Sequence, residues 1–309
     1  YFRAHMYTMV PSQVREDMAW MADKGTQAVS IAVLEQDLFA AVENIEIIIE
    51  EASKKGMKVF AVPSRWGGLL AGAPKVPSIF SIQNPETWIK EADGSYRNSG
   101  VSGRVSSIHH PATYDFMEET LLKMFDLWDL SGVVWDEPKT LSVDYSEAAL
   151  DRLGNKPDER DQVMANMEFY SKLNKALKDK NKALTTSMFL YANMDQWKVD
   201  IMAKTENLDY FGCDGRPWHH EDGGVNESHG KTLLGEGEKF LSAATKAGKK
   251  SLWLVENHNM KDVDLPLMKR RFPEILDKNV NQLIYYYYPR NLESPDKIMN
   301  LVAEFVQQY

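Results

Sequence analysis

The sequence is poor in cysteine and has no long apolar run, and each shortage excludes a class of protein. Cys213 is the only cysteine in 309 residues, so no disulfide can form within the chain and no cysteine-based zinc site can be built. No run reaches the roughly 18 apolar residues that a membrane-spanning helix needs, so we predict no membrane segment. A lone thiol fits a reducing compartment. This favours a cytoplasmic location, and a secreted or periplasmic one stays open.

Positive charge is also scarce. The chain carries 36 Lys and Arg against 45 Asp and Glu, a formal net charge of −9. Nucleic acids and anionic membranes attract proteins that present a positive face. We therefore expect neither as the main partner, and the sequence carries no signal for an oligomeric state.

Strand-like apolar runs alternate with helix-like patterns along the chain. Several of these runs are rich in β-branched and aromatic residues without strict alternation, which is typical of parallel strands covered on both faces. The eight predicted strands are Phe2–Tyr7, Ala28–Val33, Lys58–Val62, Gly132–Trp135, Ala183–Phe189, Leu208–Cys213, Ser251–Val255 and Gln282–Tyr287. The eight predicted helices are Val14–Asp23, Ala41–Lys55, Tyr114–Trp128, Glu159–Lys178, Met194–Lys204, Glu236–Lys246, Leu265–Leu276 and Pro295–Val306.

This alternation predicts an α/β fold, a closed parallel (β/α)₈ TIM barrel that forms one domain over residues 1–309. The alternative is an open doubly wound sheet. The glycine-rich phosphate-binding turn of that fold is missing after the first strand, where the chain reads Thr8-Met9-Val10-Pro11. Two long loops, residues 64–112 after strand three and 215–233 after strand six, are expected on the face where barrel strands end, which carries the chemistry.

Acidic residues stand at the ends of three predicted strands. Asp136 and Glu137 end the fourth strand, Asp214 ends the sixth and Glu256 ends the seventh. We predict these four as catalytic, because desolvation and a neighbouring like charge make one carboxyl of such a group a proton donor. The alternative for the fourth strand is an acidic terminus that pairs with Arg or Lys. Glu35, after the second strand, is expected to be a solvated charge.

Histidine, aromatic and arginine side chains are predicted at strand ends or in the loops that follow. Sugar rings have apolar faces that stack on aromatic rings, while their hydroxyl groups need hydrogen bonds. Arg65 is also suited to a carboxylate or sulfate on a sugar; with a neutral sugar it would pair with protein acids. For each aromatic residue, packing in the core is the alternative. The predicted substrate-binding residues are His5, Arg65, Trp66, His109, His110, Tyr191, Trp218, His258 and Tyr288.

Two short motifs carry a resemblance to a known group of enzymes. Trp135-Asp136-Glu137-Pro138 resembles the Trp-Asn-Glu-Pro run at strand four of the retaining β-glycosidase clan, and Glu256-Asn257-His258 resembles its Glu-Asn-Gly run at strand seven. The resemblance implies a glycoside hydrolase that acts on O-glycosyl bonds of a carbohydrate substrate. It further implies that Glu137 is the acid/base and Glu256 the nucleophile, with carboxyls about 5 Å apart.

The sequence departs from this clan at two positions, and other pairings stay open. Asp136 replaces the Asn, and His258 replaces the Gly. An Asp-Glu pair at strand four resembles the substrate-assisted hexosaminidases, which implies that Asp136 holds the attacking acetamido group. A resemblance to α-galactosidases, with their nucleophile at strand four and acid at strand six, would instead pair Asp136 with Asp214. The run from Pro111 to Asp136 is also similar to less characterised glycosidase-like barrel families.

Two other functions are compatible with the predicted barrel. A metal-dependent sugar isomerase or hydrolase would draw its ligands from His5, His109 or His110, Asp136, Glu137 and Asp214. No His-x-His or His-Glu-x-x-His spacing is present, so we predict no metal and no cofactor. A non-catalytic sugar-binding barrel would keep the aromatic residues without needing paired acids.

Overall fold

The computed structural model describes residues 9–72, 75–218, 232–258, 260–286 and 293–308. In these ranges the chain is an α/β protein with parallel strands and intervening helices. It divides into two compact units. The first holds the residues up to Trp20, Gln27–Thr186 and Lys204–Leu208, and the second holds Met21–Thr26, Ser187–Ala203 and the residues from Asp209 onward.

Seven parallel strands and one small antiparallel hairpin lie in the described part of the chain. The parallel strands are β1 (Ala28–Val33), β2 (Lys58–Pro63), β5 (Gly132–Asp136), β6 (Thr185–Tyr191), β7 (Tyr210–Gly215), β8 (Lys250–Val255) and β9 (Gln282–Tyr285). The hairpin strands are β3 (Asn98–Ser99) and β4 (Gly103–Arg104).

The described residues also form eleven α-helices. They are α1 (Pro11–Asp23), α2 (Asp37–Ala40), α3 (Val42–Ser53), α4 (Ile79–Gln83), α5 (Pro111–Leu127), α6 (Glu147–Leu153), α7 (Glu159–Lys180), α8 (Gln196–Met202), α9 (Glu238–Lys246), α10 (Leu265–Leu276) and α11 (Pro295–Val306). None of them is long and apolar enough to cross a membrane.

Strands that follow one another among the seven are neighbours in the sheet. In the first unit β1 pairs with β2, and β2 pairs with β5 through Phe60 and Gly132. The start of β6 continues this order, because the Thr185 amide donates to the Ser131 carbonyl at 2.9 Å. In the second unit β6 pairs with β7, β7 with β8 and β8 with β9. The strand order is β1-β2-β5-β6-β7-β8-β9.

Glycine allows the strands to approach closely at two positions. A Cβ on Gly132 would lie 2.0 Å from the Thr185 carbonyl oxygen, and a Cβ on Gly212 would lie 1.5 Å from the Leu252 carbonyl oxygen. Neither position has room for any other side chain, so these two glycines permit the pairing of β5 with β6 and of β7 with β8.

The predicted parallel α/β fold is confirmed within the described residues. Seven predicted strands are present, and β6 and β7 begin at Thr185 and Tyr210 rather than at Ala183 and Leu208. The predicted first strand, Phe2–Tyr7, lies outside the described residues. Closure into an eight-stranded barrel and the single domain therefore stay predictions.

The long segment between β2 and α5 has secondary structure of its own. A 3₁₀ turn covers Trp66–Gly68, α4 follows, and the β3–β4 hairpin extends from it. The side chain of Ser78 accepts the Ser81 amide and so begins α4. The residues that follow β2 are therefore held in place by hydrogen bonds rather than forming an open loop.

Candidate functional site

Two adjacent acids, Asp136 and Glu137, lie at the end of strand β5. The packing of Trp135 determines the direction in which the Asp136 side chain points. Trp135 is fully buried, and its indole N–H donates to Asn174 Oδ1 of α7 at 2.8 Å. Side chains alternate between the two faces of a strand. Asp136 therefore lies on the face opposite α7, and Glu137 begins the loop that follows.

Glu137 combines a strained backbone with a buried carboxylate. Its φ is +42°, in the left-handed region that costs an L-residue about 1–2 kcal/mol. The residue is 6% exposed, and Lys139 Nζ lies 2.5 Å from its Oε2. An opposite charge at this distance stabilises the ionised carboxylate. Strain of this kind often occurs at functional sites, where the surrounding structure maintains it.

The turn after β2 holds the segment that carries Glu137. Arg65, at φ +62°, donates its amide to the Ala71 carbonyl at 3.1 Å. Ala71 in turn donates its amide to the Asp136 carbonyl at 2.9 Å, and Lys139 donates its amide to the Leu69 carbonyl at 2.7 Å. The ends of β2 and β5 are thereby joined through backbone hydrogen bonds.

Glu35 anchors the same turn from the end of β1. It is buried and accepts hydrogen bonds from the Gly67 amide at 3.1 Å, Ser78 Oγ at 2.6 Å and the Phe80 amide at 2.9 Å. Burial raises the pKa of the Glu35 carboxyl, and the hydrogen bonds offset part of that rise. The expectation of a solvated charge at Glu35 is wrong, because this side chain is the hydrogen-bond acceptor for a buried turn.

A buried polar network fixes the loop on the other side of Glu137. The Thr140 carbonyl accepts from Gln162 Nε2 and from Asn166 Nδ2, both at 2.8 Å. Thr140 Oγ1 donates to Asn166 Oδ1 at 2.6 Å. Sequence reasoning missed this network. Its signal was the pair Gln162 and Asn166, two polar residues four positions apart on the buried face of α7.

In the second unit, Arg216 forms an ion pair with Glu256, the acid that follows β8. Glu256 and Arg216 are both buried, with Arg216 Nε 3.6 Å from Glu256 Oε2. The guanidinium also donates to the carbonyl oxygens of Glu256 and His258. Asp214, at the end of β7, is buried as well, and its carbonyl accepts the Ala192 amide at 3.1 Å. No local pattern in the sequence indicates that Arg216 pairs with Glu256.

The predicted aromatic platforms Trp66 and Trp218 are buried. Trp66 is 0% exposed, donates its indole N–H to the Val33 carbonyl at 2.9 Å and meets the Phe116 ring edge-on. Trp218 is 2% exposed. Neither ring offers a solvent-accessible face, which fits the alternative of core packing. Tyr191 is partly exposed in the second unit.

The described histidines have different surroundings. His109 is buried, its Nε2 lies 2.9 Å from Gln162 Oε1, and burial lowers the pKa of its imidazole. His110 caps α5, because its Nδ1 accepts the Ala112 amide. His258 is partly exposed and packs edge-on against Tyr286.

His5 and Tyr288 lie outside the described residues, as do residues 219–231 of the predicted loop after strand six. Arg65 is partly exposed, and its guanidinium donates to the Gly72 carbonyl. Within the described ranges, no group of three His, Cys, Asp or Glu residues is arranged to hold a metal ion.

Comparisons with known proteins bear on the fold. No protein-family model matches the sequence, and no curated protein matches it. A β-galactosidase from the psychrophilic Marinomonas ef1 is similar in structure, with 12% identity over 97% of this chain and 57% of that one and a TM-score of 0.68. The α-L-fucosidase isoenzyme 2 of Paenibacillus thiaminolyticus gives 12% identity over 97% and 46%, with a TM-score of 0.64.

A third similar structure is matched over most of its own length. It is the PgaB (BpsB) glycoside hydrolase domain of Bordetella bronchiseptica, with 14% identity over 96% of this chain and 91% of that one and a TM-score of 0.60. The chain thus spans about half the length of the first two proteins and nearly all of this domain. At such identities the likeness shows the fold alone, and it agrees with the predicted α/β fold of parallel strands and intervening helices.

Proposed function

We propose that the protein is a glycoside hydrolase and that Glu137 is its principal catalytic carboxyl group. The observation that carries the proposal is the position of Glu137. It is a buried acid on a strained backbone, directly after β5 and bonded to Lys139. The fold is shared with a β-galactosidase, an α-L-fucosidase and a glycoside hydrolase domain, and this likeness supports the same class of reaction.

Glu137 would act as the acid/base of the reaction. As an acid it gives its proton to the glycosidic oxygen while the bond from that oxygen to the anomeric carbon breaks. The carboxylate that remains lies beside the Lys139 ammonium, which stabilises the new negative charge. As a base the same carboxylate then takes a proton from the attacking water.

A second carboxyl group must support the positive charge that develops on the sugar. Asp136, Asp214 and Glu256 are the candidates that the sequence offers. Glu256 fits the nucleophile of a retaining enzyme, because its buried ion pair with Arg216 favours the ionised form that attacks carbon. Asp136 fits a substrate-assisted reaction, since it is adjacent to Glu137 and lies on the face of β5 opposite α7.

Substrate contacts would come from those predicted substrate-binding residues whose side chains are not buried in the core. Tyr191 and His258 are partly exposed, as are Arg65 and His110, and His5 and Tyr288 remain proposed on the sequence alone. Trp66 and Trp218 are buried, and His109 belongs to the network beneath the Glu137 loop. We therefore assign these three residues to support of the site rather than to contact with sugar.

Hydrolysis assays test the proposal directly. Wild-type protein is incubated with the nitrophenyl derivatives of β-galactoside, α-L-fucoside and N-acetyl-β-glucosaminide. It is also incubated with oligosaccharides of the same sugars whose reducing ends have been chemically reduced. The proposal expects turnover of at least one substrate. Glycan binding without turnover of any of them would favour a non-catalytic sugar-binding protein instead.

Chemical rescue then identifies the second carboxyl. Asp136→Ala, Asp214→Ala and Glu256→Ala are assayed with and without azide. Azide restores turnover when it replaces a missing nucleophile, and the glycosyl azide then has the inverted configuration. In the Glu137→Ala variant the azide product should keep the configuration of the substrate. An inverted product from Glu137→Ala would show that Glu137 is the nucleophile.

A further inference from the structure

Two aromatic and two cationic side chains form a partly exposed cluster around the β3–β4 hairpin, which we call the hairpin surface. It consists of Trp88, Lys90, Tyr96 and Arg104. Isolated bridges pair Trp88 with Ser106 and Lys90 with Tyr96, so the segment that precedes the hairpin lies beside both of its arms and brings the four residues together. Tyr96 is 42% exposed, and none of the four has a role in the proposed reaction.

The cations of the hairpin surface are held against the aromatic rings. The Trp88 and Tyr96 rings meet edge-to-face with centroids 5.3 Å apart. The Arg104 guanidinium carbon lies 5.1 Å from the Trp88 centroid and 5.7 Å from the Tyr96 centroid. Lys90 Nζ lies 5.8 Å from the Tyr96 centroid. Cation–π attraction orders both long side chains at a surface where they would otherwise be mobile.

The same two cations have no ion-pair partner in the described part of the chain. The neighbouring Arg97 bonds both oxygens of Glu91, at 2.6 and 3.2 Å. Lys90 and Arg104 make no ion pair with any described carboxylate. In a chain with a net charge of −9, two ordered cations without carboxylate partners form a local site for an anion.

The hairpin is bonded to the segment that follows Glu137. The Tyr145 amide donates to the Lys90 carbonyl at 2.9 Å. Arg97 Nη2 donates to the Val143 carbonyl at 2.8 Å. The hairpin surface is therefore linked through a few residues of chain to the carboxyl group proposed to act on the substrate.

We propose that the hairpin surface binds an anionic saccharide chain, with a sugar ring packed against the exposed part of the Tyr96 side chain and with Arg104 and Lys90 bonded to sugar carboxylates. Aromatic faces suit the apolar faces of pyranose rings, and guanidinium groups match carboxylates in geometry. Single-stranded nucleic acid also stacks on aromatic rings, but it is held by long basic tracks, and this surface has two cations. The choice of a saccharide rests on the proposed function, whereas binding at the hairpin does not require turnover.

Affinity electrophoresis tests this proposal on the intact protein. Native gels contain polygalacturonate, alginate or hyaluronan, and a reference gel contains fully methyl-esterified polygalacturonate, which keeps the sugar rings but lacks the charge. We expect at least one acidic polymer to retard the wild-type protein and the esterified polymer to retard it much less. Arg104→Gln and Tyr96→Ala should each weaken binding roughly fivefold, whereas Tyr96→Phe should bind like wild type.

Matched controls separate the possible outcomes. Lys123→Gln removes a similar charge from an exposed position on α5 and should leave binding unchanged. The proposal is wrong if no acidic polymer retards the protein, if Lys123→Gln weakens binding as much as Arg104→Gln does, or if single-stranded oligothymidine binds more tightly. Hairpin-dependent binding in a protein that hydrolyses no glycoside would contradict the proposed function and leave this inference standing.

Discussion

Lys139 Nζ lies 2.5 Å from Glu137 Oε2, two residues away along the chain. The carboxylate side chain is 7% exposed and the lysine side chain 26%, so the pair lies at the edge of the buried interior. The ammonium compensates a carboxylate that has lost most of its hydration. This ion pair makes the stability of the loop that carries Glu137 depend on Lys139.

Replacing Lys139 by methionine should destabilise the protein. Methionine keeps much of the side-chain volume but removes the ammonium group that lies beside the Glu137 carboxylate. Removal of one partner of a buried pair is costly, and partial exposure of the lysine reduces the effect to about 1–2 kcal/mol in the free energy of unfolding. Urea unfolding of the two proteins near neutral pH measures it.

A surface ion pair provides the control for this change. Lys175 and Asp179 pair across one turn of α7, and both side chains are more than half exposed. Lys175→Met should alter the unfolding free energy far less than Lys139→Met, because surface pairs contribute little. Equal losses in the two variants would mean that the Glu137 pair is no more important than a solvated one.

Replacing Glu35 by glutamine should also destabilise the fold. The carboxylate accepts three hydrogen bonds, from Gly67, Ser78 and Phe80. Glutamine offers one oxygen, and its amide group would face one of the donors. Leaving a buried donor unsatisfied costs about 1–3 kcal/mol, which denaturant titration can resolve.

The loss of stability caused by Glu35→Gln should depend on pH in a defined direction. Burial raises the pKa of this carboxyl above its ordinary value of 4.5. The stability linked to the raised pKa is therefore present below pH 4.5 and is lost as the pH rises through the folded-state pKa. The advantage of wild type over Glu35→Gln should be larger near that pH than in mildly alkaline buffer. Glu46→Gln, at an exposed position on α3, is the matched control for the loss of one carboxyl group, and an advantage that grows with pH would refute the assignment.

Replacing Trp66 by phenylalanine distinguishes a core residue from a sugar platform. The indole is fully buried and bonded to the Val33 carbonyl. The change removes that bond and leaves a small cavity, so we expect a loss of about 2–3 kcal/mol in unfolding free energy. The KM of any glycoside that the protein hydrolyses should not change. A raised KM with unchanged stability would identify Trp66 as a binding residue.

Replacing Gly212 by alanine should prevent normal folding. The new methyl group would lie 1.5 Å from the Leu252 carbonyl oxygen of the neighbouring strand, so β7 and β8 would have to separate. We expect insoluble protein or a loss above about 4 kcal/mol. Gly100→Ala adds the same methyl group where no atom lies within 4 Å and should fold normally. Soluble Gly212→Ala protein with wild-type stability would contradict the strand pairing.

The sequence predicted the strands well because buried parallel strands are continuous apolar runs. β1 is found at its predicted bounds, and β5 extends only one residue beyond its predicted end at Trp135. The starts of β6 and β7 were predicted two residues early. Ala183 and Leu208 are as apolar as strand residues, and the hydrogen bonds to neighbouring strands decide where pairing begins.

The acids at strand ends were also predictable, whereas their partners were not. Asp136 and Glu137 follow an abrupt change from apolar to acidic residues that is visible in the sequence. The pairing of Glu256 with Arg216 joins residues 40 positions apart, and no local pattern encodes such a contact. The role of Glu35 was missed for the same reason, because its donors come from a segment more than 30 residues away.

Comparison of wild type with Glu137→Gln, on a glycoside that the wild-type protein hydrolyses, tests the central proposal most directly. Glutamine has the shape of glutamate but can neither release a proton nor carry the charge. We predict that kcat falls by a factor of about 10²–10⁴, while calorimetry shows that the affinity for the sugar is retained. A variant that keeps most of the wild-type kcat would contradict the assignment of Glu137 as the catalytic acid.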